Sequence, residues 1–174
     1  MSTIELIILG IVMERPASAY DIQKDIDGHN LSLWAKISAP SIYKKVIQLK
    51  DKGYLVSEQT KDGNMPEKSI YQITESGKKY FESLMEHFSM QQISIIFDFN
   101  VVIANLLKLD KVQAKQLVEN ISTNIERTKD LYNTKLAEHA NIPYNGKTII
   151  EQQKDVMEAL STWVNNFSNE LDEN

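Results

Sequence analysis

The chain has 174 residues, 42% hydrophobic and 25% charged, which is enough for one ordinary domain or two small ones with buried cores. It contains no cysteine, which excludes disulfides, thiolate nucleophiles and cysteine-based zinc sites and fits a reducing cytoplasm. A net charge of −5 argues against a broad electrostatic wrapper for nucleic acid, but positions 36–79 hold nine lysines and five acids, a local +4 that suits a small contact face.

In chain order, Ser2 and Glu5 have capping-box spacing and open a helix striped by Ile4, Ile7, Ile8, Ile11 and Val12, which Pro16 ends. The apolar run from Ile4 to Met13 has no preceding basic residue, so no signal peptide is expected. Ser18 starts a second helix with Asp21 in its first turn and Ala19, Ile22 and Ile26 inward, and Gly28 to Asn30 close it. A loop with Leu31, Leu33 and Trp34 leads to a third helix over 38–52. Ser38 is its N-cap and Pro40 lies in its first turn. Ile42, Val46 and Leu49 face inward, Lys44, Lys45, Gln48 and Lys52 outward, and Gly53 stops the helix. Strands at Tyr54–Gln59 and Lys68–Ile73 flank turn chemistry at Lys61-Asp62-Gly63-Asn64, with Pro66 at the tip or edge. Thr74 then caps a helix reaching about His87.

The second half carries no strand signal. A helix from about Met90 to Leu107 is expected, then Asp110 as a cap. The helix after it runs to about His139 with Ala114, Leu117, Ile121, Ile125, Thr128, Tyr132 and Leu136 on one face. The run Ile93 to Leu109 is interrupted by Asp98, Asn100, Asn105 and Lys108, so it reads as a buried helix of an oligomer and not as a membrane span. After a break at 141–146, the last helix places Ile149, Gln153, Val156, Leu160, Trp163, Phe167 and Leu171 at nearly heptad spacing, a long apolar seam that needs a partner. The expected architecture is mainly α. Residues 1–88 form a winged helix-turn-helix of three helices plus a two-stranded β-wing, and 89–174 an all-helical dimerisation domain.

Such a unit offers one helix and one loop to a DNA duplex. Ser38, Ala39 and Ser41 are small enough for close approach to base edges. Tyr43, Lys44 and Lys45 add a polar ring and phosphate contacts, and the wing at 60–68 adds Lys61, Asn64 and Lys68 for the backbone or minor groove. A solvated lysine-rich helix face and an ordinary polar hairpin are the plainer readings of the same residues. Ile149, Val156, Leu160, Trp163 and Phe167 are the candidate dimer contacts, and Trp163 could also stack a flat effector. His29, His87 and His139 lack metal-ligand spacing, and no nucleophile-elbow, dinucleotide or phosphate-loop motif occurs, so neither an enzyme nor a bound cofactor is expected.

Read in order, Ser18 to Ile22 (S-A-Y-D-I), Ser41-Ile42-Tyr43 followed by Val46, Leu49, Gly53, Tyr54 and Leu55, and the closing Lys68, Tyr71, Ile73 and Thr74 to Gly77 resemble the PadR-like transcriptional regulators over the first half of the chain. The helical layout of the second half looks like the virulence-activator-like branch of that family. Two positions depart from the family pattern: Pro40 stands where a small residue is common, and Lys44 where a proline often follows the tyrosine. The resemblance implies a homodimer held by C-terminal helices, and repression of nearby genes relieved by a small aromatic compound or stress signal. Two-fold symmetry would require a pseudo-palindromic operator with half-sites about one helical turn, ~34 Å, apart, or a multiple of it. Two other readings stay open: a winged-helix module that binds an acidic protein, and a small-molecule sensor with its pocket in the helical half.

Overall fold

The computed structural model describes residues 2–29, 31, 35, 37–60, 68–138 and 143–173. They fall into two compact units, Met1–Ile93 and Ser94–Asn174.

The first unit is a winged helix-turn-helix. It runs α1 (Thr3–Glu14), α2 (Ala19–Gly28), α3 (Ala39–Asp51), β1 (Leu55–Thr60), β2 (Lys68–Ile73) and α4 (Glu75–Ser89). Its core collects the inward stripes of all four helices: Ile8, Leu9 and Val12, Ile22 and Ile26, Ile42, Val46 and Leu49, and Leu84, closed by Leu55 and Tyr71 from the strands. The strands pair antiparallel in the register Leu55 with Ile73 to Thr60 with Lys68. Ala17 joins them through a two-bond bridge to Tyr71.

Local chemistry fixes the joints. Ser18 Oγ accepts from the Asp21 N–H while Asp21 accepts from the Ser18 N–H, a reciprocal cap for α2. Gly53 leaves α3 with φ +76, a conformation only glycine takes at low cost. Thr74 Oγ1 accepts from the Gly77 N–H to cap α4 and donates to the carbonyls of Gly53 and Tyr54. Gly77 itself packs on that turn, and a Cβ there would lie 2.2 Å from the Tyr54 carbonyl oxygen.

The Ser2/Glu5 capping box does not form. Ser2 makes no side-chain cap bond, and the Glu5 side chain turns inward.

The second unit contains α5 (Phe99–Ile103), a 3-10 turn at Leu106–Lys108, α6 (Lys111–Glu138) and α7 (Tyr144–Glu173). Asp110 caps α6, its Oδ1 accepting from the Gln113 N–H at 2.9 Å. The expected helix over 90–107 is mostly absent: residues 92–97 are not helical, and only α5 and the 3-10 turn follow. Ile93, Ile95 and Ile96 are β-branched, Ser94 competes with the backbone for hydrogen bonds, and all four lower helix propensity. The Asn105 side chain bonds the Val101 carbonyl just past the end of α5.

Part of the partner of the apolar seam of α7 lies within the chain. Val164, outside the heptad set, is buried with Leu106, Ala114, Val118, Ile121 and Ile125, and Leu160, Trp163, Phe167 and Leu171 pack around that cluster. The pair α6 and α7 is antiparallel: Ser161 donates to Glu126, and Lys129 bridges Glu126 and Glu158.

Candidate nucleic-acid interface

The start of α3 is locked by its own hydroxyls. The Ser38 N–H donates to Ser41 Oγ at 3.1 Å, and Ser41 Oγ donates to the Ser38 carbonyl at 2.6 Å. Both residues and Ala39 thus present small, shaped surface at the helix entry. Beyond them Tyr43 is 43% exposed and Ile47 53% exposed, one turn apart, and Lys44 is exposed beside them. This outer face pairs an apolar strip with Lys44 and, one heptad on from Tyr43, the exposed Lys50.

Lys45 sits differently from the outward position expected of it. It is half-buried, and its Nζ lies 3.2 Å from Glu5 Oε1 on α1. Lys52, one heptad on, approaches the same oxygen at 3.7 Å. Tyr80 Oη on α4 donates to Glu5 Oε2 at 3.1 Å, and its ring stacks on Tyr54 with centroids 4.2 Å apart. Burial alone would raise the Glu5 pKa. The hydrogen bonds from Lys45 and Tyr80, with the charges of Lys45 and Lys52, outweigh burial and leave it below the usual glutamate value. Burial and the Glu5 carboxylate push the Tyr80 phenol up to about 12.

On the other flank of α3, an open groove of about 520 Å³ runs between the start of α2, Tyr43 and strand β2. Tyr20, Asp21, Tyr43 and Lys68 line it. Tyr20 is largely exposed, and the sequence pattern alone does not mark it as a site residue. The available signal was its place in the first turn of α2, off the inward stripe of Ala19, Ile22 and Ile26. Hydrogen bonds from Ser18 hold the Asp21 carboxyl below its usual pKa, with smaller help from Lys68 and Arg15. Lys68 is exposed at the base of the wing; Lys61 and Asn64, like Trp34, lie outside the described residues.

In the second unit, Ile149, Val156, Leu160, Trp163 and Phe167 are all half-buried. Trp163 belongs to an aromatic ladder: Phe97 stacks with Phe99 at 5.2 Å, Phe99 with Trp163 at 5.7 Å and Trp163 with Phe167 at 5.8 Å. Among the described residues, no group of acidic or histidine side chains could hold a metal ion, and no helix is long and apolar enough to cross a membrane.

Residues 8–83 match the sequence model of the transcriptional regulator PadR-like family. A comparison with curated proteins finds no match. Among solved structures, Bacillus subtilis PadR in complex with operator DNA is similar over 98% of both chains, with a TM-score of 0.82 at 17% identity. The same protein in complex with p-coumaric acid covers 98% of this chain and 95% of its own, with a TM-score of 0.79 at 15% identity. A PadR-like transcriptional regulator from Bacillus cereus covers 98% and 99%, with a TM-score of 0.72 at 19% identity. The Vibrio cholerae virulence activator AphA has the same coverage and TM-score at 15% identity. At these identities the likeness establishes the fold: a winged helix with a helical C-terminal region.

Proposed function

Because residues 8–83 match the model of the PadR-like family of transcriptional regulators, we propose that the protein is a cytoplasmic DNA-binding regulator that works as a homodimer and represses the genes beside its operator. Residues 1–88 carry the DNA contacts, and 89–174 carry dimerisation and effector response. In this reading α3 enters the major groove of each half-site of a pseudo-palindromic operator. Ser38, Ala39 and Ser41 lie closest to the bases, Tyr43 and Lys44 meet the duplex along the helix, and Lys68, with Lys61 and Asn64, serves the backbone or minor groove.

The observation that carries this reading is the free outer face of α3. Tyr43, Lys44 and Ile47 are exposed, and among the described residues no element of their own unit covers them. A mobility-shift titration on DNA upstream of the gene tests it. Tyr43→Ala with Lys44→Ala should weaken binding by roughly tenfold or more and flatten the salt dependence by about one unit of slope. Unaltered binding by that double variant refutes the assigned face. An absence of enriched genomic DNA at physiological salt would favour a protein-binding role for the same surface.

The dimer is supported by apolar side chains that the second unit leaves in water, among them Ile96, Val101, Leu107 and Val112. For effector release, the aromatic ladder around Trp163 is the proposed seat of a flat aromatic compound. Quenching of tryptophan emission by a panel of aromatic acids, lost in Trp163→Leu, would support it; no quenching by the panel removes the Trp163 site.

A further inference from the structure

Glu5 takes no part in the proposed DNA contacts, yet among the described residues it is the one charged side chain that is buried, 2% exposed. Two elements converge on it. From α3 and its C-cap come Lys45 at 3.2 Å and Lys52 at 3.7 Å, and from α4 comes the Tyr80 hydroxyl at 3.1 Å. At ~100° per residue, positions 45 and 52 lie on nearly the same line of the helix, about 100° around from Lys44. The basic patch read from sequence is therefore two patches in space. Lys44 points out, while Lys45 and Lys52 lie on the flank turned toward α1.

We propose that Glu5 is a specificity-determining charge mask: it holds Lys45, and more loosely Lys52, against the body of the domain and so withholds them from DNA phosphates. The proposal rests on the DNA-binding reading of α3. A buried carboxylate left without its partners is strongly unfavourable, so the pairing persists when a duplex approaches. Phosphate contacts fix the position of a protein on DNA but carry no sequence information, and they supply essentially all of non-specific affinity. Removing lysines from that role lowers binding to every sequence alike and leaves base contacts to decide where the protein rests. Glu5 touches no nucleotide in this account. It is a positioning residue that acts through Lys45 and Lys52.

The test is a set of salt titrations with the full-length protein on two duplexes of equal length, the gene's own upstream region and a scrambled sequence. Glu5→Gln should bind the scrambled duplex more tightly and steepen its log affinity against log salt by about one unit, since each phosphate contact contributes roughly 0.9. Lys45→Gln alone should leave the wild-type slope unchanged, and adding Lys45→Gln to Glu5→Gln should return the steeper slope to the wild-type value. A slope already flattened by about one unit in the single Lys45→Gln variant overturns the mask, and this arm decides even if Glu5→Gln folds poorly. A well-folded Glu5→Gln with the wild-type slope on both duplexes overturns it too. If the wild-type protein binds neither duplex at low salt, the DNA-binding reading fails and takes the mask with it; wild-type binding with a flattened Lys45→Gln slope sinks the mask alone.

Discussion

Glu5 sets the stability of the first unit as well as its electrostatics. Glu5→Ala removes the partner of the Tyr80 hydroxyl and of two lysines from a buried position, and should cost about 3 kcal/mol in urea unfolding. The pH dependence has a definite sign. The folded pKa lies below the ordinary 4.5, so the ionised carboxylate stabilises in full above that value, and this is lost as pH falls through the lower folded value. The gap in melting temperature between wild type and Glu5→Gln should therefore be widest near neutrality and close in acid; a gap constant down to strong acid would contradict the ion pairing. Gly77 is constrained by space instead of charge. A Cβ at 2.2 Å from the Tyr54 carbonyl has nowhere to go, so Gly77→Ala should destabilise by roughly 3 kcal/mol, measured by thermal unfolding. Its backbone φ gives no warning of this, because the constraint comes from the turn packed against α4.

Among elements, those whose signals are local were legible in the sequence. Ser18 and Thr74 announce the starts of α2 and α4 by their caps, and Ile42, Val46 and Leu49 announce the inner face of α3. Glu5 misled because its partners lie 40 and 75 residues away, where capping-box spacing carries no information. The outward assignment of Lys45 failed for the same reason. Tyr43 and Lys44 were legible as an outer face, whereas Tyr20 went unnoticed because the groove it lines is assembled from three separate elements. Residues 92–97 misled differently: a long apolar run looked like a helix, but its β-branched residues gain little from one. Periodicity in α7 revealed a stripe without saying what covers it. Since Leu160 and Phe167 pack around the α6–α7 cluster, Leu160→Glu with Phe167→Glu should lose helical circular dichroism and melt earlier at every protein concentration. A double variant that keeps its melting temperature and merely dissociates would place those residues between protomers instead.

For the whole molecule, the better probes of self-association are side chains the unit does not use internally. Ile96 and Leu107 are 82% and 95% exposed, so Ile96→Glu with Leu107→Glu should spare the fold and convert the proposed dimer to monomer in sedimentation. A dimer that survives both changes has its contact elsewhere. Conversion to monomer would abolish function on a palindrome by geometry alone, since a single winged helix reaches only one half-site. Finally, the two-bond bridge between Ala17 and Tyr71 fastens the root of the hairpin to the residue just before the N-cap of α2. The amides of Ala17 and Tyr71 can trade hydrogen for deuterium only when that fastening parts. Their exchange rates are therefore a built-in gauge of how firmly the wing is anchored, readable with or without a duplex present.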